Sequence, residues 1–110
     1  MEYFREKLDG AHGLKCVRFL ILGNDPTWNR AQILKQHDVI HLSPDRDASV
    51  DMCILAKCQH TIITTGTFGW WAAFLANGMA TYQAQYAVPK SRLAVQFVDT
   101  DYFLPQWVPL

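Results

Sequence analysis

Residues 60–71, HTIITTGTFGWW, constrain the fold of this chain more than any other segment. The run 61–65 is rich in β-branched residues and reads as a strand. Gly66 breaks it, and Thr67 opens a ten-residue apolar stretch, 67–76, that suits a helix ended by Asn77 and Gly78. A strand that runs through a glycine turn straight into a helix is half of a βαβ unit. The pairing recurs upstream: 17–22 (VRFLIL), apolar and partly β-branched, reads as a buried strand and is followed by a helix from Pro26, and 39–42 is followed by a helix over 48–57. A fourth short strand is expected over 79–83, and a leading helix over 3–8, where Tyr3, Phe4 and Leu8 share one face before Gly10 and Gly13. Strands alternating with helices of this length imply an α/β fold, a Rossmann-like parallel sheet with helices on both faces. Inner faces are assigned to Trp28, Ala31, Ile33 and Leu34 on the second helix and to Val50, Cys53, Ile54 and Leu55 on the third. Pro89, Pro105 and Pro109 are expected to break up the tail.

The chain has 110 residues, enough for one modest domain with a real core and little for a complete active site. Half of it is hydrophobic and 18% is charged, which excludes a disordered chain. Ten basic and ten acidic residues cancel, so no basic excess points to nucleic acid and no charge run points to a membrane surface. No apolar stretch approaches the ~20 residues of a membrane span, and the charged segment 1–10 does not resemble a signal peptide. Cys16, Cys53 and Cys58 are odd in number and lack CxxC spacing. Cys53 and Cys58 read as buried thiols of an apolar helix. His12, His37, His41 and His60 show no metal-ligand spacing and read as mostly structural, so no metal site is expected from them. Trp70, Trp71 and Phe74 read as core packing.

In parallel sheets of this kind ligands bind beyond the carboxyl ends of the strands. That edge holds three turns, at 23–25, 42–47 and 65–68. At the first, Asn24 and Asp25 are either a cap with a Pro turn or a polar lip over a ligand crevice. Asp51, on the first turn of the third helix, is either a favourable charge near a helix start or an acceptor for two adjacent N–H groups of a guanine ring. At Thr65–Gly66–Thr67–Phe68, Gly66 lets an anion approach closely and the amides of the helix start face it, with the hydroxyls of Thr65 and Thr67 as further donors. The alternative there is that Thr67 merely caps the helix while Gly66 and Gly69 ease packing. Neither a P-loop nor the dinucleotide fingerprint is present, and no catalytic residue can be assigned.

Residues 58–78, CQHTIITTGTFGWWAAFLANG, resemble the last signature motif of the galactoside α-1,2-fucosyltransferase family, in which a cysteine, a histidine and an ITxGTFGxWAA run recur. FLPQW at 103–107 is similar to the family's closing FLPEW, and Thr81, Tyr82, Tyr86 and Pro89 match its TxY and YxxP positions. The segment 3–8 and the VRFLIL strand followed by Asn24 fit what precedes the motif. The resemblance implies the C-terminal, donor-binding half of a GT-B glycosyltransferase, a single partial domain over 1–110. It implies transfer of L-fucose from GDP-fucose, as donor substrate and with no cofactor, to the 2-hydroxyl of a galactose-terminated glycan, inverting and metal-independent, on the lumenal side of the Golgi membrane. By the same likeness Thr65, Gly66, Thr67 and Phe68 line the diphosphate, Asp51 faces the guanine, and Asn24 and Asp25 sit near the donor. The family's upstream HxRRxD-type motif, whose arginine supports the leaving group, is missing: the arginines here are Arg5, Arg18, Arg30, Arg46 and Arg92, none in that context. Set against the family, the acceptor half and the N-terminal anchor are expected to be absent as well. The expectation is therefore a truncated fucosyltransferase-like chain that keeps the donor half-site without activity of its own, with a non-catalytic nucleotide-binding or interaction module left from a longer gene as the alternative.

Overall fold

The computed structural model describes residues 1–8, 17–33, 36–42, 45–85 and 87–110. The chain divides into two compact units, 1–47 and 48–110.

The first unit opens with α1 (Glu2–Leu8), which buries Phe4 and Leu8 as its spacing predicts. Strand β1 (Phe19–Ile21) leads through Gly23–Pro26 into α2 (Pro26–Ile33), and β2 (Val39–His41) returns parallel to β1 in the register Phe19↔Val39, Leu20↔Ile40, Ile21↔His41. Arg5 ties α1 to this sheet. Its Nε and Nη2 donate to the two carboxylate oxygens of Asp38 at 2.7 Å each, Glu2 and Gln36 accept from the same guanidinium, and the group lies 5.1 Å from the centre of the Phe19 ring. The Arg5 bond holds the Asp38 carboxyl below its usual value, and Asp38 in turn raises the Arg5 guanidinium.

Two expectations fail here. The run 17–22 is not buried on both faces: only 19–21 pair, and Leu20 and its partner Ile40 are exposed. Helix α2 is also turned. Trp28 is 59% exposed and Ala31 is exposed, while Asn29 is 5% exposed and holds the inner side. One residue is a rotation of about 100° on a helix, so a short helix with few apolar residues leaves its phase open. The side chain of Ile33 lies outside the described residues, as do Leu34, Gly10, Gly13 and Cys16.

The second unit runs α3 (Ala48–Ala56), β3 (Thr61–Ile62), α4 (Thr67–Ala76), β4 (Ala80–Tyr82), α5 (Arg92–Gln96), α6 (Asp99–Tyr102) and β5 (Val108–Pro109). Its three strands are parallel in the order β3-β4-β5. The structure is thus α/β with parallel strands and intervening helices, as the alternation predicts, and among the described residues the ladders fall into two sheets, one in each unit. Thr61 and Ile63 point inward and Ile62 and Thr64 outward, the alternation of a half-buried strand. The core is Ile63, Ala73, Ala80, Phe103 and Trp107, with Trp70, Tyr82, Phe97, Tyr102 and Leu104 packed around it.

Here too the structure corrects the sequence reading. Val50 and Cys53 are exposed, whereas Ile54 and Leu55 are half-buried. Helix α3 is apolar on almost every side, so periodicity selects no face. Cys58 is half-buried, its Sγ 3.5 Å from the Ile54 carbonyl, and burial pushes its thiol up. On α4 only Trp70 joins the core: Trp71 and Phe74 touch its ring but are themselves 52% and 45% exposed. The prolines do break up the tail, with Pro89 and Pro105 in the turns between its short elements, yet those elements pack on the core. Trp70 Nε1 donates to the Tyr102 carbonyl at 2.6 Å, the rings of Tyr82 and Phe103 stack, and Pro109 lies inside the outer strand β5.

Candidate functional site

The turn from β3 to α4 is built around Gly66, the residue at the helix cap, with φ 112° and ψ 163°. That backbone is closed to side-chain-bearing residues in practice. Among the described residues nothing lies within 4 Å of where a β-carbon would stand, so the glycine answers to backbone geometry and not to packing. No side chain caps α4, which sets aside the reading of Thr67 as the cap. The N–H groups of a first helical turn have no partner inside the helix and carry the positive end of its dipole. Thr65, Gly66, Thr67 and Phe68 are all exposed, and the first turn of α4 holds no acidic residue to repel an anion. At Gly69 an added β-carbon would stand 3.3 Å from Ile63 Cβ, so the helix sits close on its strand.

The far end of α4 is fixed differently. Asn77 takes the left-handed conformation, φ 55°, and its N–H closes on the Ala73 carbonyl, the stop expected there. Gly78 lies so close to the loop after α3 that a β-carbon would overlap the Gln59 carbonyl oxygen. The Met79 N–H donates to His60 Nδ1 at 3.1 Å, which gives His60 the structural part assigned to it. Helices α3 and α4 pack on each other. Because the C-terminal end of α4 meets the loop that follows α3, the two helices run the same way and their starts face the same edge of the unit. Asp51, half-buried on the first turn of α3, therefore lies toward the edge that carries Thr65–Phe68.

Asn24 and Asp25 belong to the first unit. Both are exposed in the turn after β1, and Asp25 Oδ1 accepts the Trp28 N–H at 3.0 Å, which is the capping geometry. Among the described residues no His, Cys, Asp and Glu side chains are grouped to hold a metal ion, and no helix is long and apolar enough to cross a membrane. The sequence reading missed Asn29 and the ordered tail, although the aromatic residues of FLPQW were a signal for the second.

Comparison with known proteins decides the family. The family described as Glycosyl transferase family 11 matches residues 1–110. The chain belongs to this family. It is 41% identical over 93 residues to the bovine galactoside 2-α-L-fucosyltransferase SEC1 (Bos taurus), covering 82% of this chain and 25% of that protein. It is 37% identical over 110 residues to galactoside α-(1,2)-fucosyltransferase 1 of Saimiri sciureus, covering 96% and 30%, and 36% identical over 111 residues to the same-named protein of Sus scrofa, covering 98% and 29%. This family 11 chain thus spans 25–30% of the length of these relatives. No solved structure matches it.

Proposed function

We propose that this family 11 chain holds the nucleotide-sugar donor of an α-1,2-fucosyl transfer: GDP-fucose gives its sugar to the 2-hydroxyl of a galactose-terminated glycan in the Golgi lumen. The observation that carries this reading is the start of α4, an exposed and uncharged helix N-terminus behind an obligatory glycine, inside a chain whose relatives are named as galactoside fucosyltransferases. In the transfer, the hydroxyl oxygen bonds to the anomeric carbon as the carbon–phosphate-oxygen bond breaks, and the hydroxyl proton passes to a base. Negative charge grows on the departing diphosphate. The amides of Thr67 and Phe68, fixed before the reaction and backed by the α4 dipole, stabilise that charge without reorganising. Thr65 and Thr67 add hydroxyl donors. The Asp51 carboxylate suits two adjacent N–H groups of the guanine ring.

Calorimetric titration of the full chain with GDP tests this. Thr67→Ala removes a hydroxyl donor to a charged group and Asp51→Ala removes an acceptor, and each should weaken GDP about tenfold. Absence of GDP binding, or binding that neither substitution changes, overturns the reading. Transfer of labelled fucose to a galactoside by the same chain separates donor binding from catalysis.

A further inference from the structure

Helix α4 carries its small residues inward and its large ones outward. Gly69, Ala72, Ala73 and Ala76, spaced three and four apart, form the inner row, and Ala72 and Ala73 are fully buried. Phe68, Trp71, Phe74 and Leu75 cover the opposite side and are 43–54% exposed. A helix that is apolar all round is one whose every side is covered, and a contiguous apolar stripe left in water marks a contact surface. The stripe is also held in place. The rings of Trp71 and Phe74 lie 5.8 Å apart, and both pack on Trp70, at 5.0 and 5.5 Å. Anchors fixed in this way lose little rotamer freedom when a partner covers them.

Two observations say what covers it. The first is charge. Residues 58–89 contain no Asp, Glu, Lys or Arg, so α4, β3, β4 and the turns joining them carry none. A two-fold axis sets each residue of a contact against its own copy or a neighbour of that copy, so a charge near the axis meets its like. A face without charges escapes that repulsion, and it offers a strongly charged partner nothing to recognise. The second is area. The exposed parts of the four side chains come to about 400 Å², and two copies bury about twice that. With the rim that surrounds any such patch the total approaches ~1,000 Å², the lower end of the range for a specific interface. We propose that the outer face of α4 pairs with the same face of a second copy of this chain, with Trp71, the middle of the stripe, nearest the two-fold axis. The dimer is reversible, and it does not depend on the donor reading above.

Sedimentation velocity of the full chain, run from low to high micromolar concentration, should show a monomer passing into a dimer and nothing larger, because one self-complementary face closes on itself. Half-dissociation is expected on the order of ten micromolar. Leu75→Lys and Trp71→Glu, each placing a charge at an exposed position of the stripe, should raise the dissociation constant about tenfold or more. Circular dichroism and the resonance of the Trp70 indole, which is bonded to Tyr102, show whether the fold is kept. Should Trp71→Glu disturb the ring cluster, Leu75→Lys decides. Val95→Lys, exposed on α5, should leave the dimer unchanged. Added salt should leave it unchanged too, since no ion pair holds it. A chain that stays monomeric throughout overturns the proposal. So does a dimer that survives Leu75→Lys, one that Val95→Lys weakens equally, or one that salt dissolves. Larger, open-ended species overturn the two-fold arrangement. Phe68 is not varied because it also borders the candidate donor site.

Discussion

Gly66 and Gly78 flank α4 and are required for opposite reasons. At Gly66 the space is open but the backbone is in a region that side chains avoid, whereas at Gly78 a side chain has nowhere to go because the Gln59 carbonyl occupies its place. Gly66→Ala should cost about 1–2 kcal/mol of stability. Gly78→Ala should cost roughly 3 kcal/mol or more, since backbone must move against backbone. Urea unfolding of the two variants checks the order, and equal costs would show that one of these accounts is wrong. Gly66, with Asn77 at the far end, was legible in the sequence because few residue types accept a positive φ. Gly78 was legible only as part of a helix stop, since its approach to Gln59 depends on two segments that the chain brings together across β3. Trp28 and Asn29 were misread for the same reason: which of two adjacent helical residues faces inward is decided by a phase that a short helix does not encode.

At the scale of elements, α4 begins and ends where its sequence predicts, because glycine turn and apolar helix favour the same local structure, whereas the strand expected over 61–65 pairs only at Thr61–Ile62. The tail is less legible. Residues 102–107 pack through aromatic contacts with α4 and β4, and no local pattern announces such contacts. The Trp70 indole adds a side-chain polar link, donating to the Tyr102 carbonyl. Trp70→Phe keeps an aromatic ring and deletes that bond, and should cost about 1–2 kcal/mol. Hydrogen exchange should quicken over residues 97–110 while that of α1 stays as it is. An unchanged tail would mean that the indole bond contributes nothing to holding it. The candidate donor site was legible as a turn of the right type, while the placement of Asp51 toward the same edge came from the packing of α3 on α4 and from the contact of Gly78 with Gln59.

At the scale of the molecule, the two units have different anchors: an aromatic core in the second, and in the first the Arg5–Asp38 pair joining α1 to the sheet. Because the Asp38 carboxyl is held below its usual 3.8, the pair contributes stability that is complete above that pH and is lost as pH falls through the lower value of the folded state. Acidification should therefore free α1 before it disturbs the second unit. Asp38→Asn should weaken the first unit at neutral pH and flatten its acid response, with the Arg5 Nε–H resonance as the readout. A resonance that persists unchanged through acid would remove the pair from this role. Pro109 carries a consequence of another kind. In β5 the Leu110 N–H turns toward β4, donating to the Tyr82 carbonyl at 2.8 Å, so the backbone nitrogen of the preceding residue faces outward. That residue is a proline and has no hydrogen to offer. A stray strand approaching this border finds no donor to recruit it, and the outer rim of β5 is thereby guarded against the edge-to-edge stacking that leads to fibrils.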